Sequence, residues 1–191
     1  MTGLPTPDFI EVEDARLYYE DTGLGSPVVM LHGGLLDVRS WDLQVEPLVT
    51  SHRVIRVDAR FHGRSEGTPG VFSSVEDLRA VLDGLNIDRA EIMGLSLGAR
   101  TAIDFANTFP ERVSALVLVS PGASGYEQQS AAFARHNQEF FRAFGGGLDA
   151  AIDYFLGWTV VGPRRQPADV DAALMDSVRS MAQGSLVKQS S

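Results

Sequence analysis

A serine between two glycines is the most chemically suggestive feature of the sequence. Gly94-Leu95-Ser96-Leu97-Gly98 lies between an apolar run at 90–93 and a segment with helical spacing. A G-x-S-x-G sequence in that context forms a sharp turn that presents the serine hydroxyl. The serine must adopt strained backbone angles, and side chains at 94 or 98 would collide with the neighbouring strand and helix. The pattern predicts Ser96 as a nucleophile.

A second glycine-rich segment, His32-Gly33-Gly34, follows the apolar run 28–31. This places it at the carboxyl end of a predicted buried strand, where open α/β sheets position their ligand loops. Backbone N–H groups in such a loop approach a substrate oxygen closely, and the amides of Gly34 and Leu97 are predicted to form an oxyanion hole. The alternative is a glycine-rich turn that merely precedes a helix.

The elements that must position these residues alternate regularly along the chain. Strands are predicted at 9–12, 15–20, 28–31, 54–57, 90–93 and 114–119, and helices around Trp41, at 75–85 and at 96–108. The alternation predicts the α/β class, with a mostly parallel sheet of about six strands flanked by helices. The first 25 residues add an antiparallel hairpin that turns at Asp14. Ser74 is the expected cap of the second helix.

Beyond residue 123 the pattern changes to helices alone. We predict a core at 1–123, a helical cap segment at 124–184 and a disordered polar tail at 185–191. Aromatic residues recur in the cap, and Phe140 and Trp158 are expected to line an apolar substrate pocket. Packing of the same aromatic residues in the core of the cap is the alternative.

Three motifs together resemble those of the α/β-hydrolase superfamily. They are the His-Gly-Gly loop at 32–34, the Asp-x-Arg-x-His-Gly-x-Ser segment at 58–65, and the turn at 94–98. Phe61 departs from the glycine usual in the middle motif. The resemblance extends over nearly the whole chain, and the segment 158–181 is similar to 3-oxoadipate enol-lactonases and small esterases.

The resemblance implies a serine hydrolase that acts on a carboxylic ester or a lactone. Ser96 would be the nucleophile, the Gly34 and Leu97 amides would stabilise the oxyanion, and the supporting residues would be His32, Gly33, Gly94 and Gly98. In the family the 58–65 segment is structural, so Asp58, Arg60 and His62 are interpreted as residues that fix their loop.

The acid and the base of the family's triad follow the serine along the chain. Six of the family's about eight strands are found, so the chain is interpreted as truncated before the last two, without the acid and the His. His136, the only histidine after Ser96, is a candidate surrogate base, with Glu127 as a possible acid partner. The alternative for His136 is a packed residue on an apolar helix face.

The sequence alone leaves two alternatives to an active hydrolase open. The first is a non-catalytic truncated fragment or binding module that retains the pocket, and the second is another chemistry on the same fold. A lyase or a cofactor-free oxygenase on the same fold would also need the missing histidine.

Composition excludes several classes of partner. Sixteen Lys and Arg against 25 Asp and Glu give a net charge of -9, which disfavours nucleic acid and anionic membranes. The sequence has no Cys, no dinucleotide fingerprint and no cluster of His and carboxylates at metal-ligand spacing, so neither a cofactor nor a metal is expected. We expect a soluble cytoplasmic protein with a small-molecule substrate.

The apolar residues 116–119 are expected to lie at an edge of the sheet, because the strand that would flank them is not found. Exposed apolar edges pair with other chains. We therefore expect a homo-oligomer, most simply a dimer, that forms through this edge or through the cap helices.

Overall fold

The computed structural model describes residues 6–125 and 131–190. The chain divides into two compact units, Met1–Gly125 and Tyr126–Ser191. In the described residues the first unit contains the sheet, three α-helices and two short 3-10 helices, and the second unit is helical. No helix in the described ranges is long and apolar enough to cross a membrane.

The first unit is built on one mixed sheet of seven strands. The strands are β1 (Thr6–Val12), β2 (Ala15–Thr22), β3 (Ser26–Leu31), β4 (His52–Val57), β5 (Glu66–Gly67), β6 (Ala90–Leu95) and β7 (Val113–Val119). Their order is β1-β2-β4-β3-β6-β7, and β5 pairs with β2. The neighbouring strands β4, β3, β6 and β7 pair in parallel. The pairs β1–β2, β2–β4 and β2–β5 are antiparallel. The predicted α/β class and the hairpin at Asp14 are confirmed.

Strand β3 lies at the centre of the parallel part and is buried on both faces. Val29 and Leu31 pack on one side with residues of β4, β6 and two helices. Val28 and Met30 pack on the other side against Trp41. This two-sided burial is why the sequence of β3 is a continuous apolar run and not an alternating one.

Three helices connect the strands of the first unit: α1 (Asp42–Leu48), α2 (Ser74–Gly84) and α3 (Leu97–Thr108). The predicted cap of α2 was one residue too late, because the Ser73 hydroxyl accepts from the Glu76 N–H and leaves Ser74 inside the helix. Strand β5 was not predicted, since two residues carry no periodic signal.

The second unit contains α4 (Ala131–Gly145), α5 (Leu148–Leu156) and α6 (Ala172–Ser190), with a π-helical turn at Gly157–Val161. The expectation of a disordered tail at 185–191 differs from the structure, because α6 continues to Ser190. Buried residues recur at helical spacing through Val178, Met181, Ala182 and Leu186, so packing of one face carries the helix past Gly184.

Candidate active site

The turn after β6 holds Ser96 in a conformation that few residues adopt. Its φ is 50° and its ψ is -101°, outside the ordinary left-handed region, and such strain amounts to about 1–3 kcal/mol. The Ser96 N–H donates to the carbonyl of Val119 at the end of β7 (2.9 Å), which fixes the turn to the neighbouring strand. The side chain of Ser96 is exposed. The sequence prediction of a strained serine at the tip of the turn is therefore confirmed.

Close backbone packing explains both glycines of the turn. A Cβ atom at Gly94 would lie 2.5 Å from the backbone nitrogen of Ala99, inside the first turn of α3. A Cβ atom at Gly98 would overlap the carbonyl groups of Leu31 and His32 at the end of β3. The Gly98 N–H donates to the His32 carbonyl (3.1 Å), so the start of α3 rests on the loop that follows β3.

His32 fixes that loop from inside the protein. The side chain of His32 is buried, with its Nε2 3.0 Å from the Ala59 N–H and its Nδ1 2.7 Å from the Gly33 carbonyl. Since the amide donates and the carbonyl accepts, the ring is neutral with its proton on Nδ1. Burial, with His62 nearby, lowers the pKa of His32 to about 4. His32 therefore supports the loop as a neutral ring and is not placed as a proton carrier.

Two backbone amides near the serine turn have no acceptor among the residues that the structure describes. Within the described residues, no acceptor is found for the N–H of Gly34 or of Leu97. Leu97 begins α3, where unpaired amides and the helix dipole favour a negative charge. A Cβ atom at Gly34 would meet nothing within 4 Å, so the space beside this loop position is open. A Cβ atom at Gly33 would lie 3.3 Å from the Leu95 side chain, so this loop position lies close to the serine turn.

The loop after β4 is fixed by its own polar residues, as the sequence predicted. The Arg60 guanidinium binds the Asp77 carboxylate of α2 (2.7 Å), and both side chains are nearly buried. Nδ1 of His62 donates to the Arg60 carbonyl (2.8 Å). The carboxylate of Asp58 accepts from the N–H groups of Val38 and Arg64, at 2.8 and 2.7 Å. Phe61, at the position where the family has glycine, adopts a φ of 63° and so keeps the turn.

His136 lies in an aromatic cluster of the second unit. Its ring stacks on Trp158 with centroids 4.2 Å apart, and its Nδ1 is 3.2 Å from the Tyr154 hydroxyl. Phe140 reaches the same Tyr154, with ring centroids 6.4 Å apart. Burial lowers the pKa of His136, so the ring is neutral at neutral pH. Trp158, which is half exposed, thus packs on His136, and Phe140 packs on Tyr154. Glu127 lies outside the described residues.

The structure brings Ser96, Leu97, Gly98, His32 and Gly33 together at the carboxyl ends of β3 and β6. The Ser96 hydroxyl makes no capping hydrogen bond to the first turn of α3. Sequence reasoning missed the anchoring of Ser96 by the Val119 carbonyl. The one available signal was that the run 114–119 ends on the same sheet edge as the serine turn, because parallel strands share their direction.

Comparisons with known proteins agree with this fold. A family model described as alpha/beta hydrolase fold matches residues 26–152. A 2-hydroxy-6-oxononadienedioate/2-hydroxy-6-oxononatrienedioate hydrolase of Cupriavidus pinatubonensis is 38% identical over 138 residues, 65% of this chain and 48% of that protein. A 2-hydroxy-6-oxo-6-phenylhexa-2,4-dienoate hydrolase of Comamonas testosteroni is 30% identical over 123 residues, 60% of this chain and 43% of that protein. The chain thus spans about half the length of the curated relatives it matches.

Solved structures give the same result for the fold. A hydrolase of Pseudomonas aeruginosa superposes with a TM-score of 0.75 at 26% identity, covering 95% of this chain and 70% of that one. The enol-lactonase of Burkholderia xenovorans superposes with a TM-score of 0.75 at 22% identity, covering 95% of this chain and 71% of that one.

Proposed function

Because the chain belongs to the α/β-hydrolase fold family, we propose that it is a serine hydrolase of carboxylic esters or lactones. The observation that carries this proposal is the exposed Ser96 at a strained turn, directly before the Leu97 amide, for which no acceptor is found in residues 6–125 and 131–190. That arrangement sets a hydroxyl beside a donor for the negative charge that develops on a carbonyl oxygen.

In the proposed reaction the Ser96 Oγ attacks the substrate carbonyl carbon and its proton passes to a base. The carbonyl oxygen becomes an oxyanion, which the Gly34 and Leu97 amides stabilise by about 3–4 kcal/mol per donor. Expulsion of the alcohol, which takes up a proton, leaves an acyl-enzyme that water then hydrolyses. We propose His136, the only histidine that follows Ser96 in the sequence, as the base that accepts this proton.

An active-site probe and a substrate test the proposal together. The chain is incubated with a fluorophosphonate and, separately, with a short-chain nitrophenyl ester, beside Ser96→Ala and His136→Ala. We expect labelling and turnover that Ser96→Ala abolishes. Equal signals from the wild type and Ser96→Ala would exclude Ser96 as the nucleophile. Labelling without turnover would favour the non-catalytic truncated fragment or binding module, and unchanged turnover in His136→Ala would exclude that base.

The curated relatives favour a second candidate substrate. Their names describe 2-hydroxy-6-oxo dienoates, and the identity of 38% to one of them covers the segment that holds the serine turn. Hydrolysis of such a compound would use the same serine and the same amides. Product analysis by mass spectrometry after incubation with a 2-hydroxy-6-oxo dienoate, compared with a nitrophenyl ester, separates the two substrate classes.

We also propose that the chain pairs with a second copy through β7. Among the described residues β7 pairs only with β6, and the side chains of Leu116 and Leu118 are 38% and 37% exposed. The Val119 carbonyl points to the β6 side, so by alternation the N–H and C=O groups of Leu116 and Leu118 point outward. Two antiparallel copies centred on Leu116 would pair all these groups, and β7 carries neither charge nor proline.

Sedimentation over a concentration series tests this dimer. Leu116→Lys sets two ammonium groups opposite each other at the two-fold axis and is expected to give a monomer. Leu24→Lys, at an exposed leucine outside the sheet, is the control and should leave the dimer intact. A wild type that stays monomeric at every concentration would exclude the interface. The cytoplasmic location expected from the sequence stays a prediction.

A further inference from the structure

The loop that carries Gly33 and Gly34 is attached at both ends to one dipeptide, Asp58-Ala59. At its start, Nε2 of His32 accepts from the Ala59 N–H (3.0 Å). At its end, the Asp58 carboxylate accepts from the Val38 N–H (2.8 Å). Because both attachments belong to the two residues that directly follow β4, the loop is tied at both ends to the carboxyl end of that strand.

The carboxyl group of Asp58 is closely confined by the residues around it. Its second oxygen accepts from the Arg64 N–H (2.7 Å), and a Cβ atom at Gly63 would overlap the carboxyl group. The carbonyl of Val38 is held in turn by the Arg56 guanidinium (3.1 Å). Asp58 is 1% exposed, and in the described part of the chain its carboxylate contacts are backbone amides. The carboxylate therefore acts as a two-sided acceptor between two loops.

We propose that Asp58 is a positioning residue for the oxyanion hole, and that the ionised carboxylate keeps the Gly34 amide in place by holding Val38. This rests on the proposed function of Ser96 and the two amides. The carboxylate accepts from both amides most strongly while it is ionised. Protonation makes one of its oxygens a poorer acceptor, so the amide bonded to that oxygen is held less firmly and one end of the loop is loosened.

The surroundings of Asp58 place this change within the ordinary working range of an enzyme. Burial raises the pKa of Asp58 to about 7, although the two amides oppose the shift. The charged or titratable groups that face it are Glu20 and Tyr18 on β2, and Asp37 and Arg39 at the turn before α1. Acylation of Ser96 is therefore expected to decline on the acid side of pH about 7.

The variant Asp58→Asn tests the proposal because its amide group keeps the shape and holds a donor at every pH. We expect the covalent step of fluorophosphonate labelling to be slower by roughly 100-fold at high pH, with probe binding little changed. The acid limb centred near pH 7 should disappear from the variant. Asp21→Asn, which removes a partly exposed partner of Arg53 on the same sheet, is the matched control and should keep the wild-type profile.

A second measurement does not depend on activity. Hydrogen exchange of the Val38 and Arg64 amides, corrected for intrinsic rates, should lose protection below pH about 7 in the wild type and at all pH values in Asp58→Asn. If neither the fall in pH nor Asp58→Asn alters the protection of these amides, the proposed role of Asp58 is wrong. It is also wrong if the protection changes while the rate of labelling does not. If Ser96 is never labelled, the proposed function fails, while the wild-type exchange still decides whether Asp58 holds the loop.

Discussion

The burial of His32 leads to a prediction about the free energy of unfolding, whose sign and size follow from the pKa of the ring. Its pKa in the folded chain is about 4, against an ordinary value of 6.5. Between these values the unfolded chain binds a proton that the folded chain does not, so the contribution of His32 to stability is lost as the pH falls from 6.5 to 4. The gap corresponds to about 3 kcal/mol at 25 °C.

Asp58 acts in the opposite direction over nearly the same range. Its folded pKa of about 7 lies above the ordinary 3.8, so the folded chain holds a proton that the unfolded chain has lost. Stability therefore falls as the pH rises between those values. The two groups partly cancel in the wild type, and only a comparison with a His32 variant isolates the histidine.

The assay is urea unfolding of the wild type and His32→Gln at several pH values between about 4 and 8. The glutamine oxygen can accept from the Ala59 N–H, as Nε2 does, but it does not ionise. We expect the free-energy difference between the two proteins to be largest near pH 7 and to shrink by about 3 kcal/mol toward pH 4. Gly34→Ala is the control, since it alters the loop without altering a titratable group. A difference that stays constant with pH would refute the neutral buried ring.

Two further predictions concern packing. Gly98→Ala forces a Cβ atom into the carbonyl groups after β3 and should destabilise the fold by about 1–3 kcal/mol. Gly34→Ala should change the stability by no more than about 0.5 kcal/mol, because a Cβ atom there meets nothing. Thermal unfolding compares the two variants, and equal losses of stability would contradict the close packing of α3 on the end of β3. Leu186→Ala should cost about 2–4 kcal/mol because its side chain is buried, while the exposed Val187→Ala should be nearly neutral; a neutral Leu186→Ala in urea unfolding would show that the end of α6 does not pack.

Local signals in the sequence were sufficient for the parts of the site that are built locally. The turn at Ser96 follows from residue types within five positions, and the two-sided burial of β3 follows from an unbroken apolar run. The hairpin at Asp14 also follows from its own neighbours. In each case the physical cause, a steric or periodic requirement, acts over a few consecutive residues.

The remaining features depend on residues far apart in the chain. That Asp58 holds Val38, and that His32 accepts from Ala59, cannot be derived from spacing, because these contacts exist only after β3 and β4 have paired. The helical end of α6 was missed for another reason. Gly184 and the polar residues around it favour disorder locally, and tertiary packing of Leu186 overrides that preference.

The hydrogen bond from Ser96 to Val119 has a consequence for the order in which the molecule folds. The serine turn is completed by a strand that is synthesised after it, and Gly98 rests on His32, which lies far earlier in the chain. Both contacts close long loops, so they form late compared with the hairpin of β1 and β2. Ser96 should therefore become reactive only in the last steps of refolding. The time course with which a serine probe labels Ser96 during refolding would report when the parallel sheet is complete.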